Sequence, residues 1–457
     1  MSKTVKILLL LTLGIIYLKF LIISQNSDMF FIIASGKDIL NGNFYYNTYT
    51  NLPIIHQQWL YSVICALFDK LGIYGHWLFV FIQDIVLWYV SYRFINKKTR
   101  NNWSAIIIPI ITIIICHNYM ICIRPQIITM ILLISELLVI EKYKENFNGK
   151  YLLWLLPISI LEANLHQSLF LYHIFIMIPY LYNIEEKQID WKLILISPFM
   201  ALSTLLTPYG LDGTLFIFKV AQSNVFDKVS INEVAPVKIS SYIGIVLLIM
   251  LLTIILLNYK RKSNKYINFY VISVFILCLI SVRHSILMMI PLLYLFVLID
   301  FDKKKSIKGI LVLMFLGTLW LLNTLNSPYN ILTNEEDKCI CVEVLEEIPK
   351  DATIYNEMNL GNYLEYMEYE NILFDVRPEL YTYPLCEKDY FNDYRKFKFG
   401  FSLNGTLATD EEIQDIYNDY EYIIAQKVSY VNRILQNDES YSLINNENIW
   451  YNIYKQN

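Results

Sequence analysis

Between residues 26 and 60 the chain reads NSDMFFIIASGKDILNGNFYYNTYTNLPIIHQQWL, and the groups in it that can do chemistry are Asp28, Lys37, Asp38 and His56. Asp28 stands beside Met29, Phe30 and Phe31, an apolar setting that raises the pKa of a carboxylate and suits general-base use. Ser27 and Asp28 also open an apolar-periodic helix, so a helix N-cap is the other reading of the same residue. Further on, Arg124 in CIRPQ, His166 in EANLHQS, Glu233 in INEVAP and Arg283 with His284 in SVRHS fall at the ends of apolar runs. A planar guanidinium in that place suits a phosphate at headgroup level. The alternative is snorkelling or an ion pair with Glu162 or Asp84. Two such arginines beside histidines favour an anion site.

Other titratable residues carry weaker signals. His56 and His166 lack the His-x-x-x-His or Cys-His spacing of a zinc site, so no metal ligands are assigned. Asp84 and Glu136 fall inside apolar runs, where a proton or ion pathway and a buried hydrogen-bonded carboxyl are both open. Asp375-Val376-Arg377 ends a strand-like piece, with both charged side chains on one side; a structural pair ranks ahead of a ligand contact. Cys65, Cys116, Cys122 and Cys278 lie in or beside apolar segments and read as packed thiols. Cys339, Cys341 and Cys386 leave room for one disulfide of unreadable connectivity. Asn404-Gly405-Thr406 matches a glycosylation acceptor triplet.

The elements that position these residues are membrane spans. With 457 residues, 56% hydrophobic and only 17% charged, and with uncharged apolar runs near twenty residues recurring through its first two thirds, the chain reads as a polytopic membrane protein. Its net charge of -4 suggests no nucleic-acid partner. Lys3 and Lys6 precede the first apolar run, but Ser24-Gln25-Asn26 offers no small-x-small cleavage site, so that run reads as an uncleaved span. The spans fall at 5–23, 73–95, 103–119, 125–140, 151–163, 168–182, 192–206, 240–257, 266–282, 285–299 and 307–325, about eleven crossings. Two amphipathic pieces, 30–40 and 57–70, are placed flat on the external face. With the N-terminus cytoplasmic, the basic loops 93–100, 142–150, 259–265 and 302–308 all fall inside, as the positive-inside rule requires. Asp28, His56, Arg124, His166, Glu233, Arg283 and His284 then share the outer side, against the usual charge bias, which marks them as functional candidates.

From residue 331 the apolar runs stop and the tail turns acidic and tyrosine-rich. The strand-like pieces ATIYN, ILFDV, EYIIA and IWYNIY alternate with helix-like KDYFNDYRKF and DEEIQDIYNDY. The expected organisation is a transmembrane domain, 1–327, with an external loop at 24–72, then a small extracytoplasmic α/β domain, 328–457, after the linker Asn326-Ser327-Pro328.

A span, an external Asp, ASGKDILNGNFYYNTYT, a Pro/His/Trp-Leu piece and a short amphipathic helix resemble the first external loop of GT-C class integral-membrane glycosyltransferases. The order of Arg124-Pro125-Gln126, Asn164-Leu165-His166, Thr207-Pro208-Tyr209-Gly210, Glu233 with Pro236, Arg283, Asn356, Gly361-Asn362-Tyr363-Leu364 and Asp375-Val376-Arg377 is similar to a group of bacterial multi-spanning proteins of this kind. The resemblance covers nearly the whole chain and departs from the pattern at Met29 or Phe30, at Gln57-Gln58 and at Thr207. It implies a mainly α, GT-C-like helical bundle in the plasma membrane. The implied enzyme transfers a sugar from a polyprenyl-phosphate donor, amid membrane lipids, to a glycan or lipid acceptor on the external face in cell-envelope glycan assembly. In this scheme the residue matching Asp28 deprotonates the acceptor, Arg124 and Arg283 hold the lipid phosphate, and His56, His166, Glu233 and His284 support. A cofactor is left unassigned; a lone Asp could recruit a divalent cation. The alternatives are a polysaccharide polymerase or ligase, whose large external loop between late spans is missing here, and a transporter or non-catalytic envelope-assembly subunit.

Overall fold

The computed structural model describes residues 27–47, 50, 52–116, 123–183, 188–223, 235–262, 264–298, 345, 348–446, 448 and 450–457. The expected spans 5–23 and 307–325, the linker, Glu233, Cys122, Cys339 and Cys341 lie outside them. The chain divides into two compact units.

Of the described residues, the helical unit takes 73–116, 123–183, 188–207, 235–262 and 264–298. Ile73–Thr99 and Asn102–Ile115 form an antiparallel pair. Arg100, at φ +52°, makes the turn, and the Asn101 side chain accepts from Trp103 N and Ser104 N at 2.9 and 3.2 Å, satisfying the orphan amides of the next helix. Gln126–Asn146 packs on the first of these, and Leu155–Leu165 and Leu171–Met177 pack on it in turn. A two-residue ribbon, β1 (Tyr182–Asn183) against β2 (Gln188–Ile189), leads to Trp191–Leu202. Tyr242–Tyr259, Lys265–Ile280 and Met289–Val297 complete the unit.

The basic ends of these helices are paired rather than merely solvated: Lys98 meets Glu141 at 2.5 Å, Lys97 meets Glu145 at 3.1 Å and Lys144 meets Asp190 at 2.7 Å. Along Tyr242–Tyr259, Gly244, Leu247, Met250 and Ile254 are buried at helical spacing. On the same helix Ile245, Ile249, Leu252, Ile255 and Leu256 are exposed. An apolar helix with aliphatic residues all round belongs in hydrocarbon, where no water penalises the outer face.

Among the described residues two helices, Ile73–Thr99 and Tyr242–Tyr259, are long and apolar enough to cross a membrane, or three if Trp191–Leu205 and Gly210–Val220 count as one broken span. The count of about eleven crossings is not confirmed among the described residues. Of the other described apolar runs, Gln126–Asn146 is a 21-residue helix carrying Glu136, Glu141 and Lys142, and the rest form shorter helices, several interrupted by 3-10 turns at Gly149–Trp154, Gln167–Leu169, Ile178–Tyr180 and Val282–Met288. Apolar length alone does not reveal such breaks.

The second unit takes 24–72, 208–229 and 329–457. The loop segment and the tail thus share one core. Ser27–Leu40 lies along Trp59–Asp69 so closely that a Cβ on Gly36 would stand 2.0 Å from Ser62 O. On the other side Phe30 meets Tyr363 and Tyr366, with ring centroids 5.1 and 5.2 Å away. The tail carries a five-stranded mixed sheet of β3 (Thr353–Tyr355), β4 (Asn371–Ile372), β5 (Tyr422–Gln426), β6 (Tyr441–Asn445) and β7 (Tyr451–Gln456), in the order β4-β3-β5-β7-β6. β3 runs parallel to β4 and β5, and β7 antiparallel to β5 and β6. Ala34 joins Ile354, Leu360, Leu364, Ile424 and Ile453 on one side of the sheet, and Ile54 joins Tyr355, Phe374, Phe397 and Ile423 on the other. Strands appear in all four expected pieces. β6 and the helices Met358–Tyr366 and Tyr430–Leu435 add to them.

Candidate functional site

In the second unit Asp28 sits in the first turn of Ser27–Leu40, half-buried. A carboxylate there is favoured by the amide dipoles of the helix start. His56 lies in the turn before Trp59–Asp69, where its carbonyl accepts from Trp59 N at 3.0 Å. The ring is buried, and its Nε2 hydrogen-bonds to no described residue. Burial, helped by the Arg377 charge, pulls the imidazole down to about 3, so His56 is neutral at pH 7 and acts as a hydrogen-bonding group rather than a cation.

Arg377 itself is half-buried. Its Nε donates to Asp375 Oδ2 at 3.0 Å and its Nη2 to the same carboxylate; Nη2 also reaches Glu365 Oε1 at 3.5 Å. Asn47 Nδ2 donates to that Glu365 oxygen at 3.0 Å, and Asn47 Oδ1 accepts from Thr50 N at 3.0 Å. Burial works against the Arg377 charge and Asp375, with Glu365, more than offsets it. Burial and the nearby Asp375 push Glu365 well above the usual carboxylate range. The expected structural pairing of Asp375 with Arg377 is thus present, and it extends into the loop through Asn47. The TPYG segment also meets this loop: Tyr45 OH donates to Pro208 O at 2.7 Å and its ring stands edge-on to Tyr209.

In the helical unit Arg124 precedes Pro125 at the start of Gln126–Asn146, half-buried. His166 follows Leu155–Leu165, with its N–H donating to Glu162 O at 2.7 Å and its Nδ1 2.8 Å from Thr129 Oγ1. Arg283 is exposed, and its charge acts on His166. His284 Nδ1 lies 2.7 Å from Tyr172 OH. Arg124, His166, Arg283 and His284 thus lie in the helical unit and Asp28 and His56 in the other, and Glu233 lies outside the described residues.

Glu136, expected as a mid-run carboxyl, is bonded to His173 Nδ1 in a fully buried pair. Thr129, Glu162 and His173 were not singled out as site residues, yet their spacing carries a signal. Thr129 and Glu136 are seven apart on one helix, so that pair shares a face, whereas His166 ends the helix of Glu162 and lies outside the helix of His173. Cys65, Cys116 and Cys278 are buried thiols, and Cys386 forms no disulfide among the described residues. Among the described residues no three His, Cys, Asp or Glu side chains are placed to hold a metal ion.

No protein-family model matches the sequence, and neither does any curated protein. Among solved structures, the apo crystal structure of the Archaeoglobus fulgidus oligosaccharyltransferase is similar, with a TM-score of 0.58 at 10% identity, covering 93% of this chain and 70% of that one. The chain has the fold of this GT-C enzyme, as the ordered motifs implied; at that identity the likeness is one of fold.

Proposed function

We propose that the protein is a membrane glycosyltransferase that moves a sugar from a polyprenyl-phosphate donor to an acceptor hydroxyl on the external face of the plasma membrane, in assembly of an envelope glycan. The observation that carries this reading is the fold likeness to an oligosaccharyltransferase over 93% of the chain, together with a half-buried Asp28 at the start of the helix that opens the first loop.

The chemistry follows from the groups present. The Asp28 carboxylate takes the proton of the acceptor hydroxyl as its oxygen attacks the anomeric carbon. The bond from that carbon to the lipid-phosphate oxygen breaks, and the phosphate leaves with its charge matched by Arg124 and Arg283. His166, His284, Glu233 and the neutral His56 position the polar parts of the substrates. The membrane orientation, N-terminus inside and tail outside, is part of this proposal.

The test is a purified-protein assay with radiolabelled polyprenyl-phosphate sugars. Transfer or release that is lost in Asp28→Asn and Arg283→Ala, both folded, supports the reading. No turnover with any carrier, with glycan export unimpaired in cells carrying Asp28→Asn, replaces it with a non-catalytic assembly role.

A further inference from the structure

A line of buried polar groups crosses the helical unit, and the reaction above uses only its end. Glu136 Oε2 and His173 Nδ1 are bonded, His173 Nε2 stands 3.7 Å from Glu162 Oε2, and Glu162 Oε1 accepts from Thr129 Oγ1 at 2.8 Å. The same Thr129 oxygen is 2.8 Å from His166 Nδ1. Glu136, His173, Glu162 and Thr129 are 0% exposed, and His166, at 6%, is the end nearest the surface.

A hydroxyl has one proton to give. Donated to Glu162, it leaves Thr129 able only to accept from His166, so His166 must carry its proton on Nδ1. The lone pair of the neutral ring then lies on Nε2. Four polar groups with no solvent contact are held in this one arrangement, because a buried partner left unmatched costs more than the bond itself gains.

We propose that Glu162, acting through Thr129, fixes His166 as the Nδ1–H tautomer and leaves its Nε2 as a hydrogen-bond acceptor for a hydroxyl of a sugar-like ligand. This rests on the glycosyl-transfer reading for its ligand class, though the tautomer does not. The ring stays neutral, and a ligand hydroxyl donates to the Nε2 lone pair while its proton stays on its own oxygen. His173, hydrogen-bonded to Glu136, stands 3.7 Å from the other Glu162 oxygen.

The test is 15N NMR of the full-length chain labelled at histidine in detergent, with His166 assigned by the signal missing from His166→Gln. The native protein shows a protonated Nδ1 and an unprotonated Nε2 at His166. Thr129→Val, nearly equal in shape, releases that preference, and Thr129→Ser restores it. A protonated Nε2 in the native protein, or a tautomer unmoved by Thr129→Val, overturns the proposal whether or not any sugar is transferred. In the transfer assay Thr129→Val raises the KM of the sugar-bearing substrate about tenfold, and Thr129→Ser recovers it; an unchanged KM would overturn the ligand-binding role while leaving the glycosyl-transfer reading intact.

Discussion

The guanidinium of Arg377 lies over the Phe31 ring, 4.7 Å from its centre. Phe31 is one turn along the helix from Asp28, so a residue of the C-terminal tail stacks against the helix that carries the proposed base. The stacked plane also makes two bonds to Asp375, a geometry an ammonium cannot reproduce.

Removing that group should cost stability more than removing an exposed charge would. Arg377→Ala leaves buried Asp375 without its cation, and breaking a buried pair costs about 3–5 kcal/mol. Thermal unfolding of the purified protein should show a marked fall in Tm, with Arg377→Lys intermediate. An unchanged Tm in Arg377→Ala would show that the pair is not held in the dry core.

Gly36 sets the approach of the two loop helices. Gly36→Ala places a Cβ 2.0 Å from Ser62 O, a backbone atom that cannot swing aside, so the helices must part. Overpacking of this kind costs about 1–3 kcal/mol. Gly361→Ala, whose Cβ would meet Phe374 O at 1.6 Å, should do the same between its helix and the sheet. Limited proteolysis of the loop should accelerate in Gly36→Ala; equal rates would contradict the packing.

His56 predicts a specific pH dependence. Its folded value, about 3, lies below the ordinary value of about 6.5 for a free histidine. Between these values the unfolded chain binds the proton and the folded chain does not, so stability from this group is full above pH about 6.5 and is lost as pH falls towards 3. Carboxylates titrate in the same range, so the measurement is the difference in Tm between the native protein and His56→Gln from pH 7 to pH 4. That difference should shift against the native protein as the pH falls. A constant difference would mean that His56 is solvated.

Arg283 and His166 offer a kinetic separation under the proposed reaction. Arg283→Ala should raise donor KM and lower kcat together, as expected for a group that meets the phosphate in both the ground and transition states, whereas Arg283→Lys should keep part of the charge effect. An unaltered donor KM in Arg283→Ala would remove the phosphate from this residue.

Much of the secondary structure was readable because it depends on local pattern. The alternation in EYIIA and IWYNIY announced β5 and β7, and DEEIQDIYNDY after Thr409 announced the helix Asp410–Tyr417 with its capping box. The number of crossings was not readable, because 3-10 breaks such as Gln167–Leu169 leave the apolar content of a run unchanged. The joining of loop and tail was hidden for a different reason. Asn47 and Glu365 are 318 residues apart, and nothing local marks either one as the other's partner. The Thr129, Glu162 and His166 group lay between these cases. The seven-residue spacing of Thr129 and Glu136 on one helix was visible, but which faces met was decided by the packing of Gln126–Asn146 on Leu155–Leu165.

The central claim is sugar transfer with Asp28 as the base. The most direct measurement is transfer from radiolabelled polyprenyl-phosphate sugar by the native chain and by Asp28→Asn, with equal thermal stability confirmed for both. The account predicts turnover in the native chain and a loss of about a hundredfold or more in Asp28→Asn, the scale of a removed general base. Transfer by Asp28→Asn at the native rate would contradict it.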